Sequence, residues 1–272
     1  MLENKLEDKY NALKNYLSEL NSVAVAFSGG VDSTLLLRAA HDVLGGKVIA
    51  VIAASCLLPD NELDEAKNFC DINNIEYVIY EFNALSVNGF KENPPDRCYI
   101  CKRELFKKIK ELAAERGIEH VAEGSNLDDS LNDYRPGLKA IKELDIKSPL
   151  KAANLYKSEI RELSRQLGLK SWNKPSAACL ASRMPYGEVI TLEKLKMIAQ
   201  AEKFLHELGF KQLRVRLHDK AIARIEILNE DFEKFLDEAM RVKVYDALKN
   251  FGFDYIALDL KGYRTGSMNE IL

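Results

Sequence analysis

The sequence predicts an α/β protein, in which a doubly wound parallel sheet is followed by a second, smaller α+β domain. Three observations support this fold class. Apolar runs alternate with helical patterns along residues 23–122, which is the rhythm of β-α-β units. The run at 47–53 is apolar after its first residue, as expected of a strand buried on both faces. Beyond residue 190 the rhythm changes to a helix, two neighbouring strands, a helix and a strand.

The elements of the first part follow from these patterns in chain order. The predicted strands are 23–26, 47–53, 75–80 and 118–122, and the predicted helices are 35–44, 60–73, 99–116 and 155–168. Ligands of such sheets bind at the carboxyl ends of the strands. We therefore expect the loops after Phe27, Ala53, Tyr80 and Ala122 to face one crevice.

The second part begins after an irregular stretch, 169–187, which contains two prolines and Gly187. The elements predicted after it are helices at 191–208 and 230–250 and strands at 211–218, 221–228 and 254–260, of which the first two strands form a hairpin. A chain of 272 residues usually organises more than one core. We therefore predict a first domain over 1–175 and a second over 176–272.

Composition and charge bound the class of protein. Hydrophobic residues make up 47% of the chain and charged residues 30%, as in ordinary soluble proteins, and the net charge of −3 does not favour a polyanionic partner. No apolar stretch approaches the ~20 residues of a membrane span, and the charged segment 1–20 lacks the apolar centre of a signal peptide. We therefore expect a cytoplasmic protein whose five cysteines are reduced thiols, metal ligands or catalytic groups rather than disulfides.

The turn between the first strand and its helix is the most informative motif. It lies in the segment A-F-S-G-G-V-D-S-T, which starts at residue 26. Gly29 and Gly30 permit positive φ and the close approach of a ligand, while Ser28 and Ser33 offer hydroxyls. Such a turn directs backbone N–H groups and a helix N-terminus toward an anion, normally a phosphate. The sequence therefore predicts a nucleotide site.

The kind of nucleotide site follows from what the turn lacks. It has no lysine at the position of the Walker motif and does not read G-x-G-x-x-G. Asp32 is unusual beside phosphates and needs a cation or a backbone amide to hold it there; Ser33 or Thr34 is predicted to cap the helix. S-G-G-x-D-S resembles the pyrophosphate loop of the ATP pyrophosphatases, which cut ATP between the α and β phosphates and leave AMP on a substrate oxygen. A glycine-rich turn without a ligand is the alternative.

Three of the five cysteines are candidate functional groups. Cys98 and Cys101 form C-Y-I-C at the start of a predicted helix, whose N-terminus lowers the pKa of a thiol. That spacing suits two ligands of a metal or cluster, half of a zinc site, or a redox pair. Cys179 lies among small residues and is the candidate third ligand, with an inert buried thiol as the alternative. Cys56 and Cys70 are predicted to be structural.

Taken together, the motifs are similar to those of one family. The pyrophosphate loop is followed by C-Y-I-C-K from residue 98, E-G-S-N-L-D-D from 123, Y-R-P-G from 134, A-C-L-A-S-R from 178 and L-D-L-K-G-Y-R-T-G-S-M-N from 258. This series covers nearly the whole chain and resembles the LarE family, the ATP-dependent sulfur transferases of nickel-pincer nucleotide cofactor synthesis. The resemblance implies that ATP and Mg²⁺ adenylate a carboxylate of a pyridinium dicarboxylate mononucleotide. Sulfur then displaces AMP to give a thiocarboxylate, with the second domain serving sulfur transfer and substrate binding.

The family divides by cysteine content. In one group a single cysteine that matches Cys179 gives up its own sulfur and becomes dehydroalanine. This chain also carries Cys98 and Cys101 and so resembles the three-cysteine group, in which the thiolates hold a 4Fe-4S cluster. Three protein ligands leave one iron open for a hydrosulfide, as is typical of catalytic rather than structural metal sites. The resemblance thus implies that these three cysteines are catalytic and that sulfide or another sulfur donor is a partner. Sacrifice of Cys179 is the alternative.

Further residues receive roles by their positions and by the resemblance. The residues expected to bind ATP are Ser28, Gly29, Gly30, Asp32, Ser33, Ala53, Ser55, Gly124, Asn126 and Asp129, with Asp32 and Asp129 also holding Mg²⁺. The residues expected to bind a substrate phosphate are Arg183, Arg214, Arg216 and Arg264. Arg214 and Arg216 alternate on one strand, and paired guanidiniums on one face suit a phosphate. The alternatives are a solvated loop for Asp128 and Asp129 and an exposed strand face for the arginines.

The sequence is also compatible with other functions. A tRNA thiolase also joins a pyrophosphate loop to three cysteines, but no K/R-rich aromatic patch favours RNA binding. An ammonia-dependent amidating synthetase would leave the cysteines as bystanders, and a nucleotide-sensing module would leave them unexplained. We expect a small-molecule nucleotide substrate, no nucleic-acid or membrane partner, and a homo-oligomer.

Overall fold

The computed structural model describes residues 2–57, 62–130, 135–175, 178–219 and 221–270. The described residues form two compact units. The first lies within Met1–Ser55, Asp60–Asn83 and Asp96–Ala177, and the second lies within Cys56–Pro59, Ala84–Pro95 and Ala178–Leu272. Two short pieces of the first half of the chain thus belong with the second unit. The predicted boundary after residue 175 meets a stretch outside the described residues, 176–177, and the division into 1–175 and 176–272 stays a prediction.

The first unit is an α/β sandwich. Its elements in chain order are α1 (Leu2–Glu19), β1 (Val23–Ala26), α2 (Val31–Leu44), β2 (Val48–Ala54), α3 (Glu62–Ile72), β3 (Glu76–Glu81), α4 (Arg97–Ala114), β4 (His120–Ala122), α5 (Gly137–Glu143), α6 (Pro149–Ala152) and α7 (Lys157–Gln166). The four strands are parallel and lie in the order β3-β2-β1-β4. The predicted α/β class with a doubly wound parallel sheet is confirmed.

Alternate residues of β1 face opposite sides of this sheet. Val23 and Val25 pack with Leu17 of α1 and with the buried leucines of α2. Ala24 joins the core on the other face, which includes Phe106 of α4. Period-two alternation between two helical layers buries both faces, and each fully buried large aliphatic or aromatic side chain contributes about 1.5–3 kcal/mol relative to exposure.

The strand order sets the edge of the sheet at which the sequence predicts a ligand site. From β1 the chain runs to β2 and β3 on one side and then to β4 on the other side of β1. The order therefore reverses between β1 and β4, and ligands of open α/β sheets bind at the carboxyl ends of the strands at such a point. The loops that follow the four parallel strands leave the sheet at this one edge.

The second unit contains a mixed three-stranded sheet. Its elements are α8 (Leu192–Glu207), β5 (Leu213–His218), β6 (Ile222–Ile227), α9 (Phe232–Leu236), α10 (Glu238–Asn250) and β7 (Tyr255–Leu258). β5 and β6 form the predicted antiparallel hairpin, with Leu213 opposite Ile227, and β7 is parallel to β6. The single predicted helix at 230–250 is wrong. Asp237 has an extended ψ of 137°, and its carboxylate accepts a hydrogen bond from Met240 N at 3.1 Å, so it starts a new helix instead of continuing the old one.

Among the helices of the described part of the chain, none is long and apolar enough to cross a membrane.

Candidate active site

Gly29 and Gly30 set the geometry of the turn after β1. Gly29 has φ +71°, a conformation that residues with a side chain rarely adopt, and Gly30 is the N-cap residue of α2. The helix begins at Val31, earlier than the sequence pattern predicted, so Asp32 and Ser33 lie in its first turn. The first N–H groups of a helix have no partner within the helix. The turn therefore presents backbone donors where an anion would bind.

The hydroxyls of this turn are oriented by one another and by a carbonyl. Ser28 Oγ lies 3.1 Å from Ser33 Oγ. The hydroxyls of Ser33 and Thr34 both donate to Gly30 O, at 3.2 and 2.8 Å. The predicted capping by Ser33 or Thr34 is wrong, because both residues already lie within the first turn of the helix and bond backward. Ser28 is exposed whereas Ser33 is buried, so Ser28 is the hydroxyl more accessible to a ligand.

The carboxylate of Asp32 is held by two residues that are distant in sequence. Asn126 Nδ2 donates to Asp32 Oδ1 at 3.1 Å, and Lys157 Nζ pairs with Asp32 Oδ2. Asp129 accepts a hydrogen bond from Asn126 N at 2.9 Å and pairs with Arg135. The structure therefore connects the predicted site residues Asp32, Asn126 and Asp129 in one network. It also supplies the cation that a carboxylate at this position needs.

Gly124 has a steric reason to be glycine. A Cβ atom at this position would lie 3.0 Å from Ser33 N and 3.1 Å from Asp32 Cβ, which is tighter than nine in ten contacts of real Cβ atoms. The loop after β4 thus lies directly against the first turn of α2. Glu123 stiffens this loop by accepting hydrogen bonds from Ser125 N at 3.1 Å and from Ser125 Oγ at 2.8 Å. Gly124 shapes the site by letting the two loops meet.

Ala53 and Ser55 lie at the carboxyl end of β2, at the same edge of the sheet. Both are half-buried. Phe27 N donates to Val51 O at 2.9 Å, so the ends of β1 and β2 are tied together beside the turn. Contact of Ala53 and Ser55 with adenine or ribose stays a prediction.

Two lysines that the sequence did not indicate reach the turn. Lys157 pairs with Asp32, and Lys174 Nζ lies 3.3 Å from Gly29 O and 2.7 Å from a carboxylate oxygen of each of Glu62 and Glu65. Burial lowers the pKa of Lys174, but the hydrogen bonds to the two glutamates outweigh burial and raise it. Lys157 and Lys174 are 125 and 145 positions from their partners in the turn, so no local motif could have indicated them.

Cys98 and Cys101 lie at the start of α4, within its first five residues, as predicted. Residues three apart on a helix share one face, so the two thiols have the spacing of a pair of ligands. Cys98 is exposed and Cys101 is half-buried. Tyr99 OH donates to Glu143 Oε2 of α5 at 2.8 Å, which fixes the start of α4 against its neighbour. Tyr134 of the Y-R-P-G motif lies outside the described residues.

Cys179 belongs to the second unit and immediately precedes a 3₁₀ turn, Leu180–Arg183. It is half-buried, and its carbonyl accepts hydrogen bonds from Ser182 Oγ at 2.7 Å and Arg183 Nη1 at 3.0 Å. Across the described residues, no group of three or more His, Cys, Asp or Glu side chains is arranged to hold a metal ion. The meeting of Cys98, Cys101 and Cys179 stays a prediction.

Cys70 differs from these three thiols. It is 0% exposed in the core of the first unit, and burial, with a smaller contribution from the charge of Asp71, raises its pKa to about 12. Burial and the raised pKa both disfavour the thiolate of Cys70, which supports its predicted structural role. Cys56 is half-buried, and its predicted structural role stays a prediction.

Arg183 anchors the segment around Cys179. Its guanidinium makes two hydrogen bonds of 2.9 Å to Glu202 and donates to Ala178 O at 2.6 Å. The residue is 2% exposed. Glu202 also accepts a hydrogen bond from Val215 N. Burial raises the pKa of Glu202, but the charge and hydrogen bonds of Arg183, with smaller contributions from Arg214 and Val215 N, together lower it. The role of Arg183 in substrate binding stays a prediction.

Arg214 and Arg216 are buried, so the alternative of an exposed strand face is wrong. Arg216 makes hydrogen bonds of 3.0 and 2.8 Å to Glu226 and one of 2.9 Å to Ser267 Oγ. The Arg214 guanidinium lies 5.3 Å from the centre of the Tyr263 ring. Burial, together with the neighbouring charge of Arg183, lowers the pKa of Arg214. These arginines lie in a buried cluster of charged side chains, which we call the arginine framework; its members are Arg183, Glu202, Arg214, Arg216 and Glu226. Their binding of a phosphate stays a prediction.

Arg264 lies at the edge of this framework. Its Nη2 is 3.1 Å from Glu270 Oε2, and its Nη1 is 3.2 Å from Asp259 Oδ1. Hydrogen bonding to Glu270 and the nearby charge of Asp259 raise its pKa. Arg264 is half-buried, and its role toward a substrate phosphate stays a prediction.

Three known proteins are similar to this chain over nearly its full length. A family model described as NAD synthase matches residues 5–105. The chain is 41% identical over 272 residues to an uncharacterised protein of Synechocystis, covering 100% of this chain and 99% of that protein. It is 40% identical over 268 residues to the pyridinium-3,5-bisthiocarboxylic acid mononucleotide synthase of Lactiplantibacillus plantarum, covering 98% and 96%. It is 28% identical over 264 residues to an uncharacterised protein of Methanocaldococcus jannaschii, covering 97% and 96%.

Proposed function

Because the chain belongs to the LarE family, that of the pyridinium-3,5-bisthiocarboxylic acid mononucleotide synthase, we propose that it is an ATP-dependent, AMP-forming sulfur transferase. Its substrate is a pyridinium dicarboxylate mononucleotide, and its product is the thiocarboxylate. The similarity to the named synthase over almost the full length of both chains carries this proposal. The turn after β1, at the point where the strand order reverses, supports the use of ATP.

The reaction has two steps, and neither is an oxidation or a reduction. In the first, a substrate carboxylate oxygen attacks the α-phosphorus of ATP, a new P–O bond forms, and pyrophosphate leaves with the electron pair of the bond to the β-phosphate. In the second, hydrosulfide attacks the acyl carbon and a C–S bond forms. The C–O bond to AMP then breaks, AMP leaves with that electron pair, and the sulfur loses its proton to solvent.

The residues of the first unit bind and orient ATP in this scheme. The N–H groups of the turn and the hydroxyls of Ser28 and Ser33 bind the phosphates, which suits the exposed Ser28 and the free donors of the first turn of α2. Asp32 and Asp129 have the donor chemistry that Mg²⁺ prefers, and Asn126 contacts both of them. Mg²⁺, when bound there, neutralises phosphate charge.

The cysteines determine the source of the sulfur. Cys98 and Cys101 have the spacing and exposure of two cluster ligands, and Cys179 is the third cysteine of the proposed set. Together these thiolates would hold a 4Fe-4S cluster, which when bound would supply the position for sulfide. Arg183 fixes the backbone on either side of Cys179 through Ala178 O and Cys179 O, at 2.6 and 3.0 Å. The sulfur donor is sulfide or a protein that delivers it, and the active form is a homo-oligomer.

Anaerobic turnover followed by three measurements tests the proposal. Iron and sulfide are quantified, and mass spectrometry measures the mass of the small-molecule product and that of the intact protein before and after turnover. We expect AMP, a thiocarboxylate product, bound iron and an unchanged protein mass. Cys179→Ser should abolish iron binding and thiocarboxylate formation, whereas the matched variant Cys56→Ser should retain both. A loss of about 34 Da from the protein would instead establish sacrifice of Cys179.

Formation of AMP and pyrophosphate with tRNA, but not with the mononucleotide, would overturn the assignment of the substrate. Thiocarboxylate formation that survives the loss of all three cysteines would overturn the role of the thiols.

A further inference from the structure

A lysine from the segment after α7 contacts the backbone of the turn after β1. Lys174 Nζ lies 3.3 Å from Gly29 O and 2.7 Å from a carboxylate oxygen of each of Glu62 and Glu65. We propose that Lys174 is a positioning residue of the ATP site. It fixes the orientation of the peptide between Gly29 and Gly30 and neutralises a carboxylate beside the phosphates, without itself contacting the nucleotide. This inference rests on the proposed function, since it concerns the same ATP site.

The contact with Gly29 O determines where the next N–H group points. In a planar trans peptide, the carbonyl and the N–H that follows it point in opposite directions. Because Gly29 O is directed at Lys174 Nζ, the N–H of Gly30 points away from the lysine. Gly30 is the N-cap residue of α2, and the N–H of an N-cap is one of the donors that a helix leaves for an anion. A peptide between two glycines rotates easily, so an external contact is what fixes it.

Glu62 brings a negative charge close to the same turn. Its side chain is 10% exposed, and a Cβ atom built on Gly29 would lie 3.7 Å from Glu62 Oε2. A buried carboxylate at this distance would repel phosphates unless a cation pairs with it. Lys174 is that cation. Burial lowers the pKa of Lys174, but the hydrogen bonds and charges of Glu62 and Glu65 raise it, so the ammonium stays protonated.

Lys174 is held at both ends, which suits a positioning role. At its backbone, Arg161 of α7 donates to Lys174 O at 2.8 Å, and Lys174 N donates to Ser171 O at 2.9 Å. At its tip, an ammonium has three donors, and three acceptors already surround this one: Gly29 O and the carboxylates of Glu62 and Glu65. No donor is left for a phosphate. Lys174 therefore acts on a nucleotide through Gly29 and Glu62.

Calorimetric titrations of the full chain with ATP and with AMP, in the same magnesium buffer, test this. Lys174→Met should bind ATP about tenfold more weakly than the wild type, because a backbone donor to phosphate is misdirected and Glu62 is left unpaired. Its affinity for AMP, which lacks the pyrophosphate, should change by less than about twofold. Lys170→Met, on an exposed lysine four positions earlier, is the matched control and should change neither affinity.

The double variant Lys174→Met/Glu62→Gln separates the two parts of the proposal. It removes the unpaired carboxylate but does not restore the contact with Gly29 O, so ATP should bind about threefold more weakly than to the wild type. Full recovery of ATP affinity would show that Lys174 only balances the charge of Glu62, and no recovery would show that Lys174 binds the nucleotide directly. Either result would overturn the proposal.

Equal losses of ATP and AMP affinity in Lys174→Met would also overturn it, because they would indicate a general loss of structure. Should this variant fail to fold by circular dichroism, the double variant is compared with Glu62→Gln instead, and the threefold loss should again be confined to ATP. A wild-type protein that binds no ATP would overturn the proposed function. A wild-type protein that binds ATP no better than Lys174→Met would overturn this inference alone.

Discussion

The turn after β1 and the arginine framework of the second unit both contain charged residues that the sequence marked as binding residues, but they differ physically. In the turn, the side chains of Asp32 and of its cation, Lys157, are both partly exposed. In the framework, Glu226 is 0% exposed and accepts hydrogen bonds from Arg216 and Ser267. The difference teaches that residue type alone does not separate a ligand-binding group from a structural one, because burial and pairing determine whether a charge can change partners.

The energetic consequence of that difference is large. Removing one member of a buried, hydrogen-bonded ion pair leaves an uncompensated charge in a medium of low polarity. Removing one member of a partly exposed pair leaves a charge that water can solvate. Variants of the framework should therefore lose stability, and variants of the turn should lose activity while remaining folded.

The largest expected effect is that of Glu226→Gln. It leaves Arg216 buried without its carboxylate, so the free energy of unfolding should fall by about 3–5 kcal/mol, as measured by urea unfolding. Glu270→Gln, which removes the more exposed partner of Arg264, is the matched control and should cost no more than about 1 kcal/mol. A loss for Glu226→Gln as small as that of its control would break the comparison, because it would mean that the framework can rearrange around a missing charge.

A smaller effect, of a different kind, is expected for Asp32→Asn. Loss of this carboxylate should slow ATP–pyrophosphate exchange by about 10²–10³-fold, the range seen when one preorganised electrostatic group is removed. The free energy of unfolding should change by less than about 1 kcal/mol, because the pair with Lys157 is partly exposed.

The control for Asp32→Asn lies on the same helix. Asp42 pairs with Arg38 at 2.8 Å with a similar exposure, so Asp42→Asn should leave the exchange rate unchanged. Destabilisation by Asp32→Asn to the extent expected for Glu226→Gln would contradict the distinction between the two regions.

The smallest expected effect is a pH dependence of stability that comes from His218, beside the arginine framework. Burial and the charge of Arg224, whose Nε lies 3.0 Å from His218 Nε2, lower the pKa of His218 from 6.5. The charge of Arg216 lowers it further, whereas the charges of Glu188 and Asp219 oppose this shift. The unfolded chain therefore binds the proton more readily than the folded one. The stabilisation from neutral His218 is complete above pH 6.5 and is lost as the pH falls through the folded-state pKa.

Urea unfolding of the wild type and of His218→Gln over the range from about pH 5 to pH 8 measures this contribution. The stability of the wild type should fall more steeply below pH 6.5 than that of the variant. Parallel curves would show that His218 is not coupled to the arginines.

Most of the sheet could be predicted from the sequence because its periodicity is local. The apolar run at 47–53 corresponds to β2 at Val48–Ala54, and the hairpin of β5 and β6 was located to within two residues. The errors have local physical causes as well. The sequence predicts a helix from residue 35, whereas the helix begins at Val31. The helix predicted at 230–250 includes Asp237, whose side chain instead accepts a hydrogen bond from Met240 N and caps a new helix.

The sequence by itself determined the pyrophosphate turn, the alternation of strands and helices, the pair of cysteines at the start of α4 and the family resemblance, since each is carried by neighbouring residues or by the order of motifs. Only the tertiary structure decided the rest: Lys157 as the partner of Asp32, Lys174 as the clamp on Gly29, and the burial of Arg214 and Arg216. The physical reason is that helix and strand periodicity depends on contacts within a few residues. An ion pair across 125 positions depends instead on strand order, which places the loop after β4 and the start of α7 beside the turn after β1.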